Sequence, residues 1–325
     1  MSSELLAKLQ TYVRQTQSQY QRYLVRSPEY EEQAGFDPRG FRVSTAQLLE
    51  PTMTATPVGR CEIAANQFGY FMDGIQRSWL LYTQNYSPVY YGYVAAVIRA
   101  RPDSRLITWR YQYAEGLYLS FSQLAPPELA ELARLGIQLH DLGISEPQFN
   151  LQKEKAVEMI TKQRSRLEAE LIKTWIQHHG VGDRWLVVDG SLSISQLGAA
   201  HPRLVGLIKS HNTQYFSFPD QGVILQLQFG DRSSLFQPKG RYPLTSWYLR
   251  MRDAKHQDQY FGLIRVEVAN QSAALANQIS QWILTERRPL ALPDQRWDKM
   301  IYPIRDCEQF LRAKEPSRAS FGWLG

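Results

Sequence analysis

Hydrophobic and polar positions in the first half of the chain alternate in a pattern typical of strands. Residues 68–73, 89–99 and 105–111 are rich in aromatic and β-branched side chains. Turn-forming residues such as Pro88 and Pro102 separate these three segments. Because consecutive strands joined by short turns pair with one another, the pattern predicts a three-stranded antiparallel meander.

Apolar residues at helical spacing predict an amphipathic helix within about the first 25 residues. Leu5, Leu6, Leu9 and Val13 fall on one side of this helix, and polar residues cover the other sides. Unless this stripe packs on the core, it is exposed to solvent. The helix is therefore a candidate docking element for a partner protein.

A longer helix is predicted at about residues 151–179, where apolar residues recur at helical spacing and Gly180 follows as a residue that readily ends a helix. An apolar strand at residues 185–189 comes next. The same rules predict strands at 203–209, 222–229, 245–251 and 260–268, and helices at 128–135, 272–287 and 304–313.

Composition narrows the class of protein. The chain has 325 residues, of which 43% are hydrophobic, so it can bury a large core. Its net charge of +6 favours a polyanionic partner, although charge alone is weak support. Cys61 and Cys307 lie far apart, which excludes a zinc knuckle or a disulfide framework and favours a reducing compartment. With no membrane-spanning segment or signal peptide in the sequence, we expect a cytoplasmic protein.

Two Asp-Gly steps, each after an apolar run, are the first candidates for chemistry. Asp73 and Asp189 are the acids of these steps, and we expect the glycine to turn each carboxylate outward at a strand end. Glu168 borders the apolar stripe of the long helix and is preferred to Glu170, which points away from it. Clustered carboxylates suit hard divalent cations such as Mg²⁺. The alternative is that each Asp-Gly is an ordinary turn.

These acids stand in motifs that resemble the NurA family of nucleases. Residues 71–77, Phe-Met-Asp-Gly-Ile-Gln-Arg, resemble the first acidic motif of that family. Residues 185–192, Trp-Leu-Val-Val-Asp-Gly-Ser-Leu, resemble its Asp-Gly-Ser-Leu motif and are the most specific match. The further similarities are the family's helix-borne glutamate at 164–168, its Gly-x-x-Lys strand at 205–210 and its Arg-Val-Glu strand at 262–268.

The resemblance implies an α/β fold with an RNase H-like core, in which helices flank a mixed five-stranded sheet. Together with the residue pattern, it gives an N-terminal helix and irregular lead-in at residues 1–66, the nuclease domain at 67–315 and a tail at 316–325. Within the domain, residues of about 112–150 are expected to form an insertion.

The resemblance also implies a function. Proteins of this family are metal-dependent DNA nucleases that act as 5′-to-3′ exonucleases and single-strand endonucleases in DNA-end processing and repair. They form homodimers and dock on a HerA-type hexameric ATPase. Carried over by position, Asp73, Glu168 and Asp189 become catalytic ligands of Mn²⁺ or Mg²⁺. Lys209 becomes a candidate for a phosphate contact or for positioning a carboxylate, and Tyr302 is a further candidate substrate contact.

The sequence departs from the family pattern at two places. Ile75 replaces a serine or threonine beside the first acid. Family members carry a histidine after a Tyr-Pro pair, whereas no histidine follows Tyr302-Pro303 here, and Asp306 and Glu308 are the candidates to replace it. A catalytically impaired DNA-binding or scaffold protein is therefore the alternative. An enzyme acting on small phosphate esters has little support, because no glycine-rich phosphate loop is present.

A few other side chains have both a functional and a structural interpretation. His211 follows Lys209 closely and is a candidate substrate contact. His178 and His179 lie at a helix end, where capping is a better explanation than metal binding. The aromatic runs at 90–93 and 109–113 resemble base-stacking platforms, but a packed sheet face is the favoured interpretation.

Overall fold

The computed structural model describes residues 2–16, 19, 22–24, 42–59, 62, 65–103, 105–146, 148–255, 257–287 and 298–316. The helices are α1 (Ser2–Thr16), α2 (Pro126–Arg134), α3 (Phe149–His179), α4 (Gln196–Ala200), α5 (Asp220–Leu225), α6 (Ala276–Glu286) and α7 (Tyr302–Lys314). The strands are β1 (Arg22–Leu24), β2 (Arg42–Val43), β3 (Ala46–Leu48), β4 (Ala55–Pro57), β5 (Phe68–Gln84), β6 (Ser87–Ala100), β7 (Ile107–Leu119), β8 (Leu139–Asp141), β9 (Trp185–Asp189), β10 (Leu204–Ile208), β11 (Thr213–Gln214), β12 (Asp231–Ser233), β13 (Phe236–Pro238), β14 (Leu244–Arg250) and β15 (Leu263–Ala269).

The fold is α/β, with helices on both faces of a large mixed sheet. Its centre has the strand order β7-β6-β5-β9-β10. The strands β5, β6 and β7 form the predicted antiparallel meander, and β5, β9 and β10 are parallel. This is the mixed five-stranded arrangement of an RNase H-like core, so the predicted fold class is confirmed. The sheet is wider than predicted, because β15, β14 and shorter strands continue it beyond β10.

The strand β5 differs most from its prediction. The sequence pattern places the end of the strand at Asp73, but β5 continues through Gly74 to Gln84. It turns into β6 at Asn85 and Tyr86, both of which have positive φ. A single glycine does not end a strand that is paired with a neighbour on both sides of it, as β5 is with β6 from Tyr70 to Leu80. The first Asp-Gly step is therefore within a strand and is not a turn.

The prediction of a strand at residues 222–229 is wrong, because the chain forms α5 there. Ile224 within the helix and Leu227 just after it belong to one buried apolar cluster. Short apolar runs fit a strand or a buried helix equally well, so the sequence pattern alone does not decide between them. Short strands also replace part of the irregular lead-in, where β3 and β4 pair with β13 and β12.

The two faces of the sheet carry separate apolar clusters. Phe71 and Val187 lie on the face covered by α6 and α7. Their neighbours Met72 and Val188 lie on the opposite face, covered by α3. Side chains alternate along a strand, so this pattern fixes the face of every central residue. No helix in the described part of the chain is long and apolar enough to cross a membrane.

The described part of the apolar stripe of α1 packs on the core. Leu9 and Val13 are fully buried in the same cluster as Phe71. These two residues are therefore not available to dock a partner, which corrects that part of the sequence hypothesis. The side chains of Leu5 and Leu6 lie outside the described residues, as does the tail beyond residue 316.

A buried arginine at the end of β14 links main-chain carbonyls from the segments before and after that strand. Arg250, at the end of β14, is fully buried. Its guanidinium donates hydrogen bonds to the carbonyls of Leu225, Leu227, Gln259 and Phe261. Burial lowers the pKa of this arginine, and the nearby Asp258 opposes that effect.

We predict that Arg250→Met destabilises the protein by at least about 3 kcal/mol, because several carbonyls lose their donor together. Urea unfolding monitored by tryptophan fluorescence measures this change. Lys239→Met, at an exposed lysine just after β13, is the matched control and is expected to have almost no effect. Equal stabilities for the two variants would contradict the role given to Arg250.

Candidate active site

The candidate site lies where two parallel strands part. The pairing of β5 with β9 ends at Met72 and Val188. The next residues on the two strands are Asp73 and Asp189, and by alternation both carboxylates lie on the α7 face. After Asp189 the chain turns at Gly190, whose φ of 123° favours glycine, so this Asp-Gly step is the predicted turn.

Glu168 reaches the same place from α3, on the opposite face. Its side chain is almost fully buried, and its Oε1 lies against the main chain at Gly74. A Cβ on Gly74 would overlap this oxygen. The glycine of the first Asp-Gly step is thus needed for the close approach of Glu168. Glu170 is exposed and lies near Lys173, which agrees with the preference for Glu168.

The three carboxylates interact electrostatically. Burial, and after it the negative charge of Asp189, raises the pKa of the Asp73 carboxyl well above its ordinary value. Burial also raises the pKa of Glu168, with a smaller contribution from Asp189. Each carboxylate therefore disfavours the ionised form of a neighbour, which indicates an excess of negative charge at this point.

Two basic side chains compensate that charge. Lys209, which follows β10, places its Nζ 2.7 Å from Asp189 Oδ2. Burial lowers the pKa of Lys209, but the charges of Asp189 and Asp73 outweigh it and raise the pKa. Arg164, one turn before Glu168 on α3, places its Nη1 2.5 Å from Glu168 Oε1. Lys209 therefore stays a charged donor within the site.

The donor atoms of these residues are of the type that a hard divalent cation prefers, although the side chains do not form one ligand cluster in this structure. They supply three carboxylates from three elements, and oxygen ligands are those that Mg²⁺ and Mn²⁺ prefer. Burial, and after it the charge of Asp189, raises the pKa of Asp73 and of Glu168, and a bound cation would favour the ionised form of both acids. Among the described residues, no three His, Cys, Asp or Glu side chains are close enough together to hold one ion. Asp189 and Glu168 bind Lys209 and Arg164 instead.

The helix α7 packs beside Asp73, on the face of the sheet that carries both aspartates. Cys307 donates to the Phe71 carbonyl across 3.3 Å, and the charge of Asp73 contributes to a raised thiol pKa that is caused mainly by burial. Met300, just before the helix, lies 3.6 Å from Lys209 Nζ. Tyr302 begins α7 and is 54% exposed. A substrate contact by this residue stays a prediction.

The two candidates to replace the missing histidine have different surroundings. Asp306 pairs with Arg99 at 2.7 Å. Glu308 binds Arg305 and Arg312 with its two oxygens, and its charge contributes to the raised pKa of Lys209. Glu308 is therefore the candidate that is coupled to the site.

His211 has the surroundings of a structural residue. Its Nε2 donates to the Leu263 carbonyl at 2.9 Å, and its ring stacks on Tyr260 and Tyr248. Burial lowers its pKa to about 4, while the hydrogen bond to Leu263 opposes the shift. A substrate contact by this residue stays a prediction.

The other structural interpretations agree with the contacts. His178 Nδ1 donates to the Thr174 carbonyl, as helix capping requires. Tyr90, Tyr91 and Tyr93 are buried in the sheet, so the first aromatic run is a packed face. A bulge between β6 and β7 turns Trp109 toward His178 and His179.

Sequence reasoning gave Gln76 no role, yet it lies two residues after Gly74 and binds Arg164. The alternation of side chains along a strand could have indicated this contact, because it places Gly74 and Gln76 on the same face of β5, toward α3. Met300 was also missed, because nothing in its sequence context marks contact with a distant lysine.

Comparisons with solved structures find likenesses of fold. The chain is similar to the NurA nuclease from Sulfolobus solfataricus, with a TM-score of 0.45 and 12% identity over 76% of this chain and 79% of that chain. It is also similar to the catalytic domain of human endonuclease V, with a TM-score of 0.35 and 15% identity over 83% of this chain and 92% of that chain. No protein-family model and no curated protein matches the chain.

Gly74→Ala is predicted to displace the Glu168 carboxylate without unfolding the protein. The added methyl meets the end of a flexible side chain, which can move away, and Gly74 does not have a positive φ. We expect the affinity for Mn²⁺, measured by calorimetry, to fall on the order of tenfold while the melting temperature changes little. Gly240→Ala, at an open position, is the control. Unchanged affinity would show that the approach of Glu168 to Gly74 is unimportant for binding.

His211→Phe is predicted to reduce the loss of folding stability that occurs as the pH falls below about 6.5. The folded-state pKa of His211 is lowered from 6.5 to about 4, so the unfolded chain binds the proton first as the pH falls. Stability is therefore full above about pH 6.5 and is lost toward pH 4, by at most about 1.4 kcal/mol per pH unit. Phenylalanine keeps the stacking but does not titrate. Urea unfolding between pH 4.5 and 7 tests this, with His178→Phe as the control, and an unchanged slope would contradict it.

Proposed function

We propose that this chain is a divalent-metal-dependent nuclease that hydrolyses the phosphodiester bonds of DNA. The observation that carries the proposal is that Asp73 and Asp189 follow the last paired residues of β5 and β9, while Glu168 reaches Gly74 from α3. Each of these acids stands in a segment that resembles a NurA motif. The net charge of +6 is favourable for a polyanionic substrate.

In this proposal Asp73, Glu168 and Asp189 hold Mn²⁺ or Mg²⁺. When bound, such ions supply an activated water and stabilise the leaving oxygen of the phosphodiester. Lys209 keeps its proton because of the two aspartates, so it can donate to a phosphate oxygen or hold Asp189 in place. Tyr302 lies exposed at the start of α7, where it can contact the sugar-phosphate chain.

The finer proposal follows the family. It describes a 5′-to-3′ exonuclease and single-strand endonuclease that processes DNA ends for repair in the cytoplasm, as a homodimer docked on a HerA-type hexameric ATPase. The motif resemblance supports this description. The buried residues Leu9 and Val13 of α1 are not part of the proposed docking surface.

The second candidate is a catalytically impaired DNA-binding or scaffold protein. Two observations favour it: no histidine follows Tyr302-Pro303, and no three His, Cys, Asp or Glu side chains among the described residues are close enough together to hold one ion. A scaffold binds DNA with strong salt dependence but does not cleave it.

One experiment separates the two candidates. End-labelled single- and double-stranded DNA is incubated with wild type, Asp73→Asn and Asp189→Asn in Mn²⁺, Mg²⁺ or EDTA. A nuclease gives metal-dependent cleavage that falls at least about 100-fold in both variants, because several kcal/mol of transition-state stabilisation are lost. Asp183→Asn, at an exposed position before β9, is the matched control and is expected to cleave normally.

Thermal melting in EDTA checks that the variants fold. Asp73→Asn is expected to melt at or above the wild-type temperature, because burial disfavours the charge that it removes. Intact DNA in every lane would favour the scaffold, and the same assay with a HerA-type ATPase added would then exclude or reveal a partner-dependent nuclease.

A further inference from the structure

A chain of hydrogen bonds runs behind Glu168. The Gln76 amide Nε2 donates to Thr161 Oγ1 at 3.1 Å, and its Oε1 accepts from Arg164 Nε at 3.0 Å. Arg164 Nη1 in turn donates to Glu168 Oε1 at 2.5 Å. The chain therefore joins β5 to α3 through four side chains and ends at a carboxylate of the candidate site.

The direction of each bond in this chain is fixed. A guanidinium only donates, so the Gln76 oxygen must face Arg164. The Thr161 hydroxyl donates to the Val157 carbonyl at 2.8 Å, so it accepts from the Gln76 nitrogen. The amide thus has one orientation that satisfies both neighbours. A side chain held in this way restricts the arginine, and through it the carboxylate.

The position of this ion pair separates it from ordinary helix pairs. Arg164 and Glu168 lie at i and i+4 on α3, as Glu158 and Lys162 do. Glu158 and Lys162 are exposed, and such pairs contribute little. Glu168 is 4% exposed and lies against Gly74. The buried pair also differs in its geometry, because Arg164 binds Gln76 through one nitrogen and Glu168 through another.

We propose that Gln76 and Arg164 are positioning residues that hold the Glu168 carboxylate over Gly74 for metal binding. The inference rests on the proposed function, since it gives Glu168 a metal to bind. Gln76 fixes the plane of the guanidinium, and the guanidinium fixes the carboxylate. Groups that orient a metal ligand from behind typically change metal affinity or activity by about 10- to 100-fold when removed.

Titration of the purified protein with Mn²⁺ by calorimetry, without DNA, tests the proposal. Gln76→Met keeps the length of the side chain but loses both hydrogen bonds. Arg164→Lys keeps the charge but cannot hold Gln76 and Glu168 together. We expect each variant to raise the Kd for Mn²⁺ about tenfold. The double variant is expected to be no weaker than the weaker single one, because the two residues act as one unit.

Three controls make the outcome decisive. Lys162→Met removes the exposed pair of α3 and is expected to leave the Kd unchanged. Glu168→Gln sets the largest loss that mispositioning can cause. Thermal melting in EDTA measures the structural contribution of each residue: a lower melting temperature with an unchanged Kd would overturn the positioning role. A wild type that binds neither Mn²⁺ nor Mg²⁺ would instead overturn the proposed function, and the positioning role with it.

Discussion

The structure depends on how two buried carboxylates, Asp73 and Glu168, and the partly buried Asp189 are tolerated where β5 and β9 part. Asp73, Asp189 and Glu168 each lose most of their hydration, and the charge of one raises the pKa of another. An isolated buried carboxylate is costly unless a partner compensates it. Lys209 and Arg164 are these partners, and both come from elements that flank the parting strands. In this structure the three carboxylates are therefore held by the charges of Lys209 and Arg164.

That balance explains features of the fold that packing alone does not. The strand β5 is long and carries Gly74 in its interior, although an interior glycine weakens a strand. The cost is understandable because Glu168 occupies the place of the missing side chain. The sheet keeps Asp73 and Glu168 on opposite faces, so only an open residue lets α3 approach the carboxylates. Gly74 also lets α3 come close enough to β5 for Arg164 to bind both Gln76 and Glu168.

Much of this was predictable from periodicity. The meander, α3 and the strand ending at Asp189 follow patterns that depend on local sequence and burial. The role of Gly74 was not predictable, because a glycine for close approach and a glycine for a turn look alike in sequence. The error at residues 222–229 has a similar origin, since a short apolar run does not reveal whether its contacts are at i+2 or i+3. The pairing of Lys209 with Asp189 requires the parallel order of β9 and β10, which a motif alone does not give.

The missing histidine has a physical consequence for α7. An imidazole exchanges a proton near neutral pH, whereas a carboxylate held by guanidinium groups does not readily do so. Both oxygens of Glu308 accept from arginines, and Asp306 pairs with Arg99. Both acids are therefore already engaged by arginines, whereas an imidazole at this place would be neutral or singly charged. What Glu308 does contribute is charge, since it helps to raise the pKa of Lys209 beside the two aspartates.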